Sequence, residues 1–204
     1  MMSNKNKGIL IFAILYTVLF EFDGHKLLAS LMPSAIANYL QYLLYVVLAL
    51  YGSILFKDRL IQQWNEIRKT KRKFFFGVLT GWIFLILMTV AFGFISELLR
   101  QFFGLVEQGL NQSNIQSTFQ EQPLLIAVFA CIIGPLVEEL FFRQILLRYL
   151  RKSLPTWLSV FLVGLAFSII YVKEKENVYY PLLVHMLGNS LSFIILAIGS
   201  MWWK

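Results

Sequence analysis

The amino-acid sequence predicts an all-α protein, a polytopic membrane helix bundle of about six transmembrane helices. Hydrophobic residues make up 58% of the 204 residues and charged residues only 14%, whereas soluble domains carry about 25% charged residues. The apolar residues are also gathered into runs that approach the ~20 residues needed to cross a bilayer. A water-soluble fold of this length has too small a core to bury so much apolar surface.

Six apolar runs are separated by polar or basic segments. They lie at about 9–22, 36–56, 75–98, 123–147, 155–172 and 178–200, and the first and fifth are short for a span. Because backbone polar groups in lipid must be paired within the segment, we expect each run to be a helix. The basic N-terminus leads into the first run without a cleavage pattern, which is typical of a retained span rather than of a signal peptide. Residues 1–204 are therefore expected to form a single membrane domain.

The basic residues predict the orientation of this bundle. The net charge is +7, and positive residues favour the cytoplasmic side of a membrane. The strongest basic cluster is 57–73, and further basic residues follow the fourth run and stand near both ends of the chain. Six crossings place all of them on one side, which predicts a multi-pass protein with both termini in the cytoplasm. The balanced segment 173–176 is then expected on the opposite side.

The composition and the positions of the basic residues also limit the classes of partner that we expect. Because the basic residues lie between apolar runs, we expect the lipid bilayer as a partner and no nucleic acid. Cys131 is the only cysteine, so no intramolecular disulfide is expected. A transporter or channel, with charged side chains along a pathway, is a remote alternative. It would be favoured by matched halves with short discontinuous spans, and the sequence shows no such symmetry.

The fourth run carries ionisable residues, which are costly inside a membrane and mark candidate functional sites. Glu139 and Arg143 are four residues apart and can pair on one helix face. The adjacent Glu138 points about 100° away, so it is available as a general base. Pro135, one turn earlier, removes a helix hydrogen bond and can open a kink. From these residues alone, a structural Glu–Arg pair is an equally good interpretation.

The sixth run carries His185 and Asn189, which are four residues apart and share a helix face. Such a pair can move protons, ligate a metal or stabilise an oxyanion, and it can equally be a polar contact between helices. Counted from the outer side, Glu138 lies ~22 Å and His185 ~10 Å deep at 1.5 Å per residue. We therefore expect that tilt, a kink or a re-entrant segment must close a gap of ~12 Å before the two motifs form one site.

Taken together, the motifs resemble those of the CPBP family of intramembrane proteases (CAAX proteases and bacteriocin-processing enzymes, also called Abi). The family's Glu-Glu-x-x-x-Arg motif is matched by Glu138, Glu139 and Arg143, and its His-x-x-x-Asn motif by His185 and Asn189. The resemblance implies an endopeptidase of the bacterial cytoplasmic membrane that cleaves a membrane-associated protein or peptide. It implies that Glu138 activates water, that Glu139 and Arg143 hold the site, and that the second motif completes it.

The resemblance to the family covers about residues 123–195, and one motif within this range departs from the family pattern. The family's middle motif, Phe-x-x-x-His, falls on Phe167 and Tyr171, so that tyrosine stands where histidine is expected. In a second alignment the whole middle-motif helix is deleted, and both alignments lose a histidine. Tyr171 is therefore at most an accessory residue. The sequence also fits a catalytically degenerate relative that acts as a membrane scaffold, a regulator or a bacteriocin-immunity protein.

A metal ion is the only cofactor that the resemblance suggests. The family resemblance allows zinc, and Glu138 and His185 would be its first ligands. A catalytic zinc takes three protein ligands, and Tyr171 is a poor neutral ligand. The residues themselves predict no cofactor.

Overall fold

The computed structural model describes residues 3–103 and 122–202, and these residues form helices without any β-strand. Nine helices follow one another along the described chain. They are α1 (Asn4–Tyr16), α2 (Gly24–Ser30), α3 (Ser34–Leu55), α4 (Lys57–Lys69), α5 (Lys71–Phe103), α6 (Pro123–Leu150), α7 (Thr156–Val163), α8 (Leu165–Lys173) and α9 (Tyr179–Trp202).

Four of these helices, α3, α5, α6 and α9, are long and apolar enough to cross a membrane. A π-helical turn continues α1 to Glu21, and the resulting segment and α2 form a pair bent by 69°, which makes a fifth candidate if it counts as one span. The predicted fold class, a helical membrane bundle, is confirmed. For the described residues the expected number of about six spans is corrected to four or five, because the fifth apolar run does not cross.

That fifth run is a broken helix that returns to the end from which it starts. Its two halves, α7 and α8, meet at Gly164, whose φ of 105° favours glycine. Arg151, which precedes α7, forms an ion pair with Glu176, which follows α8. Because its two flanks touch, the segment enters the bundle and turns back. Hydropathy alone cannot distinguish such a hairpin from a span.

The contacts of Glu176 define what we call the basic end of the bundle. Its carboxylate lies 3.3 Å from the guanidinium of Arg59 on α4 and 3.6 Å from that of Arg148, and it also contacts Arg151. We call Glu176 and these three arginines the basic-end cluster. The segment 173–176 therefore lies at the same end as α4, and its predicted position on the opposite side is wrong.

The direction of α9 follows from its contacts with α5. Tyr180 packs against Gly77 and Val184 against Gly81, so the two helices are parallel and both start at the basic end. At the other terminus, Gly8 packs against Leu55, the last residue of α3. Hence α1 starts at the basic end and α9 runs away from it. This direction disagrees with the expectation that both termini share one side, although Lys204 itself lies outside the described residues.

The two helices that carry the motifs lie at the centre of the bundle. The first core cluster joins α6 to α1 and α3 and includes Phe12, Leu48, Val137, Leu140 and Phe141. Two further clusters join α6 to the α7–α8 hairpin, and α9 to α5 and α8. Because α6 packs against helices on both sides, its Glu139 and Arg143 side chains are buried inside the protein.

Candidate active site

The first motif forms a buried ion pair on α6. Arg143 Nε lies 3.3 Å from Glu139 Oε2, as the i,i+4 spacing predicts, and the two side chains are 4% and 1% exposed. The geometry is that of an ion pair rather than of a hydrogen bond, because neither atom has a hydrogen-bond partner among the described residues. Arg143 also donates from Nη1 to the Val163 carbonyl at 3.5 Å. Two charges so far from water need close partners on every side.

Aromatic rings provide some of the close contacts of the Arg143 guanidinium. The Arg143 guanidinium lies 5.8 Å from the ring centroid of Phe142 and 5.6 Å from that of Phe167. A cation over an aromatic face is stabilised by the ring quadrupole, and more strongly where water is excluded. Phe167 also stacks on His185, with ring centroids 4.5 Å apart. Phe167 thus connects the arginine of the first motif to the histidine of the second.

His185 brings the two motifs into one cluster. Its Nδ1 lies 3.1 Å from Glu139 Oε1, within hydrogen-bond distance, and its Nε2 lies 3.7 Å from Glu138 Oε2. The expected gap of ~12 Å between the motifs is therefore closed. That gap came from counting the depth of His185 from the outer side, whereas α9 starts at the basic end.

The two carboxylates differ in their access to the surroundings. The Glu138 side chain is 32% exposed, whereas Glu139 is almost completely buried. If Glu139 accepts the Nδ1 proton of His185, the Nε2 lone pair faces Glu138, because the bond at one ring nitrogen sets the role of the other. The distance of 3.7 Å is too long for a direct hydrogen bond. It leaves two acceptors close enough for a single water molecule to donate to both.

Asn189 holds the backbone of α6 beside this cluster. At the π-helical turn Phe129–Ile133, the Gly134 N–H donates to the Phe129 carbonyl rather than to that of Ala130. In the same π register the next donor would be Pro135, which has no N–H. The freed Ala130 carbonyl accepts instead from Asn189 Nδ2 at 2.6 Å. The described contact is thus a backbone cap between α6 and α9.

Gly134 and the π turn explain the sequence around the first motif. A Cβ atom at Gly134 would lie 2.9 Å from the Phe129 carbonyl oxygen, so a side chain there would disturb the turn. A second π-helical segment, Leu140–Leu147, follows directly after Glu139. π-helical turns inside α-helices are rare and frequently occur at functional sites. They rotate the residues of α6 relative to a regular helix, which sequence periodicity does not reveal.

Tyr171, the candidate accessory residue, is placed outside this cluster. It is fully buried, and its hydroxyl accepts a hydrogen bond of 3.2 Å from Arg59 Nη2. Its neighbours in the core are apolar residues of the second cluster, such as Leu147 and Val178. Tyr171 therefore connects the α7–α8 hairpin to the basic-end cluster. No signal in the sequence links Arg59 to Tyr171, because they are far apart in the chain.

The donors around His185 do not fit a catalytic zinc ion. Such an ion takes three protein ligands and keeps one open position. Glu138 and His185 Nε2 offer two donors, while the two oxygens of Glu139 face Arg143 and His185 Nδ1. Within the part of the chain that the structure describes, no group of three or more His, Cys, Asp or Glu side chains is arranged to hold a metal.

Comparisons with known proteins find similarity in the part of the chain that contains both motifs. Residues 120–203 match the family model of the type II CAAX prenyl endopeptidase Rce1-like proteins. The chain is also similar to YdiL of Bacillus subtilis (strain 168), which is named as a candidate membrane peptidase, with 28% identity over 100 residues. That match covers 49% of this chain and 39% of YdiL. No solved structure gives a significant match.

Proposed function

We propose that the chain is a CPBP-type membrane peptidase, as the family match of residues 120–203 and the similarity to YdiL support, and that it cleaves a membrane-associated protein or peptide with water activated by Glu138. The proposal rests on one observation, the bridging position of His185 between the two glutamates. The difference in exposure is consistent with it, since the Glu138 side chain can be reached by a substrate and the buried Glu139 side chain cannot. The basic end would face the cytoplasm of a bacterial cell, as its excess of arginine and lysine favours.

In the proposed site each residue has a separate task. Arg143 pairs with Glu139 and keeps a negative charge beside His185 Nδ1. Glu139 then orients the imidazole so that Nε2 faces Glu138, and Phe167 holds the ring from the side. A water molecule between Nε2 and Glu138 would have both of its protons directed at acceptors. Its oxygen lone pair is then left for the substrate.

The reaction would be the hydrolysis of a peptide bond. Glu138 takes one proton from the water, and the water oxygen attacks the carbonyl carbon of the scissile bond. The tetrahedral intermediate breaks its C–N bond, and Glu138 returns the proton to the leaving amine. The products are a carboxylic acid and an amine, which exchange one proton to become a carboxylate and an ammonium group, and Glu138 is again unprotonated. General acid–base catalysis of this kind contributes about 10²- to 10⁴-fold to the rate.

A catalytically degenerate relative, acting by binding a membrane partner, is the second candidate. The observation that favours it is the burial of Tyr171 where the family has a histidine. Its hydroxyl is engaged by Arg59, so this position contributes to packing at the basic end rather than to the Glu–His cluster. In such a relative, Glu139, Arg143 and His185 would form a structural contact between helices.

Complementation of a null strain separates the two candidates. We expect Glu138→Gln and His185→Ala to abolish the phenotype at normal protein levels in the membrane, because both remove a group that touches the water. Glu97→Gln is the matched control, since Glu97 is an exposed carboxylate on α5 that pairs with Arg100. New protein N-termini in the membrane fraction should appear with the wild type and the control and be reduced at least a hundredfold in Glu138→Gln. Full function of both site variants would instead support a role in binding.

The metal content gives an independent prediction. We expect purified protein to carry far less than one equivalent of zinc, because the donors at the site do not reach three. Metal analysis after gel filtration measures this directly. About one tightly bound zinc per chain, lost in His185→Ala, would contradict the water-only mechanism.

A further inference from the structure

A groove of about 790 Å³ lies between α1 and the half of α6 that leads to the basic end. On α1 and the π-helical turn that continues it, the lining extends from Asn6 to Val18, a length of about 18 Å at 1.5 Å per residue. Most of the wall is apolar, with Leu10 and Ile14 on one side and Ile145 on the other. The long dimension and apolar wall suit a hydrocarbon chain.

One end of the groove is basic. Arg148 and Lys152 line it there, together with the polar Asn6. Lys152 forms no ion pair with any described residue, and Arg148 shares the single carboxylate of Glu176 with two other arginines. The positive charge around the groove mouth is therefore not neutralised by the protein. An anion at this end would be attracted to both side chains.

The wall also contains a polar side chain without a partner. Gln144 lines the groove, is only 3% exposed, and has no hydrogen-bond partner for either amide atom among the described residues. A buried amide that is left unpaired lowers the stability of the folded protein. Such a group in the wall of an open groove is a reason to expect a polar ligand atom nearby.

We propose that this groove binds one anionic phospholipid from the leaflet at the basic end. The acyl chain lies along α1 between Leu10 and Ile14 and the facing residues of α6. The phosphate lies at the groove mouth, where it accepts from Arg148 and Lys152. A zwitterionic phospholipid gains less there, because its own cation is repelled by the same side chains. The proposal concerns a site separate from the Glu–His cluster and does not depend on peptidase activity.

Native mass spectrometry of the full detergent-solubilised chain tests this assignment. The protein is titrated with phosphatidylglycerol and, separately, with phosphatidylcholine of the same chain length. We expect one tightly retained phosphatidylglycerol per chain and at least tenfold weaker retention of phosphatidylcholine. Lys152→Gln should weaken phosphatidylglycerol roughly fivefold, the usual weight of one basic residue beside an anionic lipid. Ile14→Trp, which fills the groove without changing charge, should remove the bound lipid.

Lys69→Gln is the matched control, because it removes an exposed lysine at the same end but outside the groove. Retention of phosphatidylglycerol in this control together with its loss in the two groove variants supports the site. Equal retention of both lipids, or an equal effect of Lys69→Gln and Lys152→Gln, overturns it in favour of a general lipid annulus. A second copy of the chain or a co-purified membrane protein in place of the lipid overturns it as well.

Discussion

Among the described residues, the core pair Glu139–Arg143 and the basic-end cluster both combine glutamate with arginine, but they differ in depth. In the core, Glu139 and Arg143 are shielded from solvent on all sides, and His185 completes their contacts. In the basic-end cluster the side chains are 24% to 41% exposed, and one carboxylate is shared by three guanidinium groups. The same residue types are thus arranged with matched charge in one place and with excess positive charge in the other.

The comparison shows how burial changes the contribution of an ion pair to stability and the cost of removing one of its partners. A buried pair contributes little net stability, because desolvation offsets most of the attraction. Removal of one partner is nevertheless strongly destabilising, because it leaves the other charge buried and unpaired. An exposed pair is screened by water and salt and contributes about 0–1 kcal/mol. The core pair therefore makes sense as a device that positions His185, and the basic-end cluster as a tether between α4 and the segments around it.

The largest expected effect is an all-or-none difference in cysteine labelling, and it tests on which side of the membrane the segment after α8 lies. In a Cys131→Ala background, Lys175→Cys should react with a membrane-impermeant maleimide from the same side as Lys69→Cys. Ser113→Cys, which lies outside the described residues between the third and fourth apolar runs, should react only from the opposite side. If Lys175→Cys reacts like Ser113→Cys, the α7–α8 segment crosses the membrane and the basic-end cluster does not exist.

Removal of one core charge should have the largest effect on stability. We expect Arg143→Met to lower the free energy of unfolding by about 3–5 kcal/mol, because it leaves Glu139 buried and unpaired. Arg151→Met in the basic-end cluster should cost at most about 1 kcal/mol. Unfolding in detergent, followed by circular dichroism, compares the two. Adding Glu139→Leu to Arg143→Met should restore most of the stability, and a failure to do so would contradict a pairing role.

Removal of the backbone cap should have a smaller effect on stability, and that effect should depend on the residue at position 135. Asn189→Leu should cost about 1–3 kcal/mol, because the Ala130 carbonyl loses its donor. The variant Pro135→Ala supplies an N–H that can reach that carbonyl in the π register. In this background Asn189→Leu should therefore cost clearly less, which a double-mutant cycle measures. Equal costs in both backgrounds would show that Asn189 acts through other contacts.

The smallest effect is expected at Tyr171. Tyr171→Phe should lower stability by about 1 kcal/mol at most, since it removes one hydrogen bond from Arg59. Tyr171→His should neither introduce zinc binding nor raise the cleavage rate above that of the wild type, because the side chain faces the basic-end cluster. The cleavage assay and the metal analysis described above measure both. Bound zinc in Tyr171→His would place this position at the site after all.

The sequence predicted some of these features because they are local. Hydropathy alone indicates the helical membrane bundle, and the i,i+4 spacing indicates the Glu139–Arg143 pair, since both depend on residues close in the chain. The resemblance drawn from two short motifs agrees with the family match over residues 120–203. The roles of Glu138, Glu139, Arg143, His185 and Asn189 in catalysis stay predictions.

The remainder depends on contacts between residues that are far apart in the chain. A hairpin broken at Gly164 and a true span have the same hydropathy, so only the pairing of Glu176 with Arg59 and Arg151 shows that the segment turns back. The direction of α9, the depth of His185 and the approach of the two motifs all follow from that turn. Composition and local spacing determined that this chain is a helical membrane protein with a polar motif on two helices. Tertiary packing decided where those helices meet, because the energy of a buried charge depends on partners that local sequence does not specify.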